Sequence, residues 1–246
     1  MPAEIRLLAG CLAILGAWTA SAGSPGTQDS GQALAAELRA ATPVEGHQSS
    51  GVLEYRKGQV RREVPFQARV EVMADQWETI YETRPTAYIG AEKLVVIRSE
   101  TGTNRYRYAR AAEPALPLGE LNELPPAEAW FPLARTDFLL AELGLEFLHW
   151  PEQKELEPAM RRGQPCRVLE SRHPDAPAYV RVVSWIDRES GGIVLAEAYD
   201  RRRKLVKVFE PDSIRKVQGE YRVESMMMRN VEAGSRTLLR FHLTGD

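Results

Sequence analysis

The chain has 246 residues, 43% of them hydrophobic, enough to bury the core of one large domain, so it is not a disordered chain. Lys and Arg total 32 against 34 Asp and Glu, and the signs are interspersed, as in "YRKGQVRREVPFQARVEV". No basic stripe able to neutralise a phosphate backbone stands out, and nucleic acid is not an expected partner.

Residues 7–22, "LLAGCLAILGAWTASA", contain two competing export signals. Leu7-Leu8-Ala9-Gly10-Cys11 has the form of a lipobox, whereas Ala20-Ser21-Ala22 has the small-x-small form of an ordinary cleavage site. The apolar core from Leu7 to Trp18 fits a signal peptide and falls short of the ~20 residues of a membrane-spanning helix. If Cys11 were acylated, only Leu7 to Gly10 would remain as that core, and Leu12 to Trp18 would open the mature chain without purpose. Residues 1–22 are therefore expected to be removed after Ala22, placing the protein in the periplasm; an outer-membrane lipoprotein acylated at Cys11 is the weaker alternative. Either way Cys166 is the one cysteine beyond the signal region, with no partner for an internal disulfide, and is expected to be a buried small residue.

Residues 23–30 read as a spacer, and residues 31–246 as a single domain. In "QALAAELRAAT", Ala33, Leu34, Leu38 and Ala41 share one helical face, and Asp29 or Ser30 is placed to cap the start. "SGVLEYRKGQVRREVPFQARVEVM" reads as two strands around Lys57-Gly58-Gln59, followed by strands at "QWETIYET", "EKLVVIRSE" and "TNRYRYAR". Prolines 114, 117, 125, 126 and 132 then impose an irregular connection. "RTDFLLAELGLEFLHWP" is apolar almost all round, with Thr136 as an N-cap, and predicts a second, largely enclosed helix. The last third predicts a meander of seven strands with turns at residues 174–175, 190–192, 202–203, 211–212 and 233–235.

The expected class is α+β and mainly β: a curled antiparallel half-barrel of about 10–12 strands, its concave face covered by the N-terminal and mid-chain helices. Several strands are apolar on both faces. Val180, Val182 and Ile186 alternate with Tyr179, Val183 and Trp185, and Val206 and Val208 alternate with Leu205 and Phe209, so the second face must also be covered.

Searches for His-Glu-x-x-His, Gly-x-Ser-x-Gly, a Walker loop, a dinucleotide glycine fingerprint and Cys-x-x-Cys find none of them. His47, His149, His173 and His242 lack metal-ligand spacing, so neither a catalytic site nor a metal or other cofactor is expected. Met226-Met227-Met228 is the most unusual local feature, with Met226 and Met228 on one strand face. Flexible thioethers suit a variable apolar ligand, although ordinary core packing is the favoured reading of the three. The arginine runs at residues 61–62, 161–162 and 201–203 read as solvated turns and strand ends, with anionic headgroups as the alternative.

In this order, the helix, the strands, "RTDFLLAELGLEFLHW", and "VVSWIDRESGGIVLAEAYDRRRKLVKVFE" followed by "SMMMRNVEAGSRTLLRF" resemble the LolA-like outer-membrane lipoprotein-sorting superfamily, in its sorting-protein-like branch. The resemblance implies an open half-barrel whose apolar concave face takes up acyl chains of lipoproteins or lipids. Phe138, Leu139, Leu143, Phe147, Trp150, Trp185, Met226 and Met228 are the candidate cavity and lid residues. It further implies a monomeric, non-catalytic carrier, with an inner-membrane release complex and an outer-membrane acceptor as prospective partners. A lipoprotein- or stress-sensing module that signals to a protein partner is the competing assignment, and an envelope hydrolase a weaker one.

Overall fold

The computed structural model describes residues 28–41, 43, 46–99, 102–217 and 220–243. The export signal, with Cys11, and residues 23–27 of the spacer lie outside the described residues.

Helix α1 (Gln28–Ala40) buries Leu34, Ala35 and Leu38 along one face. It begins at Gln28, so Asp29 and Ser30 occupy its first turn rather than a capping position, and Asp29 there and Arg39 in the last turn both complement the helix dipole. The strands are β1 (His47–Lys57), β2 (Val60–Val72), β3 (Gln76–Thr83), β4 (Glu92–Ser99), β5 (Arg105–Arg110), β6 (Asn122–Leu124), β7 (Glu152–Arg161), β8 (Gln164–Arg172), β9 (Arg181–Asp187), β10 (Ile193–Tyr199), β11 (Leu205–Val217), β12 (Glu220–Asn230) and β13 (Ser235–Phe241). They form one open antiparallel sheet in the order β6-β5-β4-β3-β2-β1-β13-β12-β11-β10-β9-β8-β7. The class is mainly β, as expected from the sequence, and the described residues form thirteen strands where about 10–12 were expected.

Two strands escape the sequence pattern. β6 is three residues within the proline-rich connection. β7, "EQKELEPAMR", is mostly charged, contains Pro158, and breaks register between Leu156 and Ala159, which are the marks of an edge strand. In the opposite sense, the turn expected at Pro211-Asp212 does not exist. β11 runs through it with register shifts around Ser213, so the closing meander has six strands.

The mid-chain segment departs most from expectation. It is not one helix but a plug of short turns: 3-10 turns at Leu133–Arg135 and Glu146–His149 flank a single α-turn, α2 (Leu140–Leu143). Ala134, Arg135 and Leu145 have φ of 47°, 55° and 53°, left-handed values that no continuous helix contains. Thr136 ends the first turn instead of starting a helix, its hydroxyl donating to Leu133 O at 2.8 Å.

The sheet wraps round this plug. Glu92 of β4 accepts a hydrogen bond from Ala134 N, and Lys207 of β11 reaches Glu142. In a flat sheet those strands, six positions apart, would be separated by ~29 Å. The concave face and the plug share the main core, which α1 joins through Leu34, Ala35 and Leu38. The outer face of β8–β11 carries a second core of Cys166, Val168, Val183, Trp185, Leu195 and Val208. Its cover is the sheet itself. Arg161, at the far end of the bulged β7–β8 hairpin, lies 4.5 Å over the Trp185 ring and 3.9 Å from Glu197, and Arg162 next to it reaches Glu210 and Pro211 O.

Candidate functional site

Between the plug and the concave face of β9–β12 lies a cavity with about 470 Å³ of unfilled space, part of it open to solvent. Phe138, Leu145 and Phe147 of the plug face Val182, Ile193, Ala196, Ala198, Phe209 and Met228 of the strands across it. Space remains because Ala196 and Ala198 present only methyl groups where larger residues would close the packing.

One charged pair stands in this apolar wall. Lys207 Nζ donates to Glu142 Oε1 and Oε2 at 2.6 and 2.7 Å and to Asp137 O at 2.6 Å. Glu142 also accepts from Tyr179 OH at 3.1 Å and Leu139 N at 2.8 Å, so both ionic groups are satisfied where each side chain is only 8% exposed. Burial and the neighbouring carboxylate push the Tyr179 phenol well above its ordinary range, which keeps it a proton donor. Lys207 faces inward because it keeps the alternation of Phe209: the two pair with Ala198 and Ala196 of the cavity wall, and the β11 bulge falls one residue earlier, at Val206. Asp137 is held in turn by Ser235 Oγ at 2.6 Å and Thr237 Oγ1 at 2.9 Å.

Further polar pegs fix the plug to the opposite half of the sheet. Glu146 accepts from Tyr106 OH at 2.7 Å and Asn104 Nδ2 at 2.9 Å, and burial raises its pKa, as it does for Glu92. Arginines hold plug carbonyls: Arg98 donates to Leu143 O at 2.8 Å, Arg62 to Arg135 O at 2.9 Å, and Arg39 of α1 to Leu148 O. Gly144 has no side chain because the Tyr106 hydroxyl would lie 2.0 Å from its Cβ.

His149 adds an acid-sensitive element. Burial, with Arg39 and Arg98 nearby, lowers its pKa to about 4. The folded chain therefore binds fewer protons than the unfolded one between pH ~6.5 and ~4, and stability falls as pH drops through that window. Allowing for its partial solvent contact, the loss is of order 2 kcal/mol. His149→Gln is expected to flatten the decline of Tm between pH 7 and pH 4, and identical slopes in parent and variant would refute the assignment. Glu92 and Glu146, with raised pKa values, act in the opposite sense and lose stability as pH rises.

Of the eight residues singled out in the sequence, Phe138, Phe147 and Met228 line the cavity. Leu143, Trp150 and Met226 are buried in the main core beside it, and Leu139 packs against that core. Trp150 stacks on Trp130 with ring centroids 5.9 Å apart. Trp185 is on the other side of the sheet, in the outer core under Arg161, because its position alternates with Val182 and Ile186. Sequence reasoning missed Glu142, Lys207 and Tyr179. Carboxylates within a greasy segment look like the solvent face of a helix, and Lys207, although it shares the inward face of Phe209, carries a charge that reads as solvent-facing. Cys166 is buried in the outer core, as expected, with its thiol pKa raised by burial. Among the described residues no three His, Cys, Asp or Glu side chains gather to hold a metal, and no helix is long and apolar enough to cross a membrane.

A family model described as "Uncharacterized protein"-like matches residues 119–244, just over half of the chain and all of the plug and the closing meander. The chain belongs to that family. No curated protein sequence matches it. Among solved structures it is similar to a DUF1329 family protein from Desulfovibrio piger, with a TM-score of 0.68 at 17% identity over 87% of this chain and 91% of that one. A domain described as an outer membrane lipoprotein-sorting protein, from Vibrio parahaemolyticus, matches with a TM-score of 0.67 at 16% identity over 88% and 92%. A LolA superfamily protein from Nitrosomonas europaea matches with a TM-score of 0.51 at 15% identity over the same shares. The fold is that of the LolA superfamily. Within it, the cavity lies between the plug and the half-barrel wall.

Proposed function

We propose that this LolA-like chain is a non-catalytic carrier that takes up acyl chains of lipoproteins or lipids in the periplasm. The observation that carries the proposal is the cavity under the plug, whose lining is apolar except for the Glu142–Lys207 pair and the Tyr179 hydroxyl that donates to it. Exposing an acyl chain costs ~0.8 kcal/mol per CH₂, so a chain of about 16 carbons needs roughly 12 kcal/mol of shelter, which only an enclosed apolar site provides. The plug is held by separable polar pegs rather than by one rigid helix, which suits a cover that must admit and release its cargo. Export after Ala22 would place the carrier between two membranes, with a release complex and an acceptor as its prospective partners.

Two measurements test this. Mass spectrometry of protein isolated from the cell envelope is expected to find copurifying acylated molecules, and a fluorescent acyl probe is expected to bind. Ala196→Phe places a ring in the cavity and displaces at least two methylenes of the probe, about 1.6 kcal/mol or roughly tenfold in affinity. Absence of both lipid and probe binding, or a variant that binds as the parent does, would sink the proposal.

A further inference from the structure

The dispersed arginines of the sequence come together on the outer face of the sheet. Across β2, β1, β13 and β12, Arg61 pairs with Arg56, Arg56 with Arg236, and Arg236 with Arg229, each directly opposite the next. The register here is unbroken, and each of the four lies an odd number of residues from a core-facing neighbour in its own strand, so all four point outward. Strands ~4.8 Å apart make this a row of four guanidinium groups about 14 Å long. All four residues are exposed.

Like charges directly opposite one another in a sheet are destabilising. Glu54 lies 3.6 Å from Arg56, and Glu210 lies 4.0 Å from Arg229, so two members are partly compensated. Arg61 and Arg236 have no ion-pair partner among the described residues. The row also stands at the end of the sheet where the β1–β2 and β12–β13 hairpins turn, and just beyond it Val60, the first residue of β2, and Val231, in the β12–β13 turn, are 53% and 43% exposed. The exposed run Arg201-Arg202-Arg203 turns at the same end, between β10 and β11.

We propose that this end of the half-barrel docks on an anionic lipid bilayer, with the arginine row at the level of the phosphates and the two hairpin ends, with Val60 and Val231, dipping among the headgroups. A cationic band with apolar tips beyond it matches the layered polarity of a membrane interface, where each Lys or Arg contributes about fivefold to binding. A soluble polyanion would have no use for the exposed valines. The docking site is separate from the cavity and does not depend on acyl binding there.

Cosedimentation with vesicles at low salt tests it. Binding is expected to vesicles containing phosphatidylglycerol and not to pure phosphatidylcholine, and to be lost in 0.5 M salt, where charge screening is severe. Arg61→Ser with Arg236→Ser is expected to weaken binding by about 25-fold. Arg69→Ser with Arg188→Ser, nearer the other end, should leave it unchanged. Because the row is self-repelling, the Arg61/Arg236 double variant should melt at or above the parent temperature, which separates lost binding from lost folding. Equal binding to both vesicle types, an unaffected Arg61/Arg236 variant, a variant that melts below the parent, or binding to inorganic polyphosphate but not to vesicles would each overturn the proposal.

Discussion

Replacing Lys207 with methionine is expected to destabilise the fold by about 3–5 kcal/mol, as breaking a buried ion pair from one side does. The side chain fills a similar volume, so little packing is lost. What remains is the Glu142 carboxylate, walled in by Phe138, Tyr179 and Val182 and retaining only the Tyr179 hydroxyl and the Leu139 amide as donors. Asp137 O also loses a donor. Adding Glu142→Gln removes the stranded charge, keeps an acceptor for the Leu139 amide and turns an NH2 donor to the Tyr179 oxygen, which can accept, and the double variant is expected to recover more than half of the loss. Urea denaturation of the parent, the two single variants and the double variant measures this. A Lys207→Met loss below about 1 kcal/mol, or a double variant no better than the single, would show that the pair does not act as a unit.

The second large effect lies at Gly31. An alanine in an exposed helical position normally stabilises by about 0.5–1 kcal/mol relative to glycine. At Gly31 the sign should reverse, because a Cβ there would lie 2.4 Å from Gln153 O and 2.5 Å from Lys154 Cα. Those are backbone atoms of β7 and cannot rotate aside. Either α1 lifts from β7, withdrawing Leu34, Ala35 and Leu38 from the core, or the edge of the sheet shifts; a cost of about 3 kcal/mol is expected. Gly31→Ala as stable as the parent in urea would mean that α1 does not sit on β7 as described.

Most strands were legible because alternation and turn residues agree: Lys57-Gly58-Gln59 marks the first hairpin, and Gly58, with φ of 55°, takes the left-handed turn position. β7 was not, since an edge strand defended by charges and Pro158 resembles a loop. The plug shows a different limit. Its apolar residues announce burial, yet nothing local distinguishes a buried helix from a string of turns, and the left-handed Leu145 is a choice made by the surrounding sheet. The cavity depended on two features with no short-range signature, the ion pair that buries Lys207 against Glu142 of the plug and the pair of alanines at 196 and 198. The arginine row is a matter of register alone. Four residues scattered between positions 56 and 236 become neighbours only when β1 pairs with β13, so counting charges along the chain could not reveal them.

The close seat of α1 on β7 also bears on the company the protein keeps. A ten-residue strand at the margin of a sheet invites another chain to extend the ladder. Here the helix packs against that strand, Pro158 withholds a donor, and the break between Leu156 and Ala159 bends the far half away. At the other margin, β6 is too short to template anything. Growth of the sheet therefore stops at thirteen strands, and a chain whose α1 is dislodged should be recognised first by its tendency to polymerise.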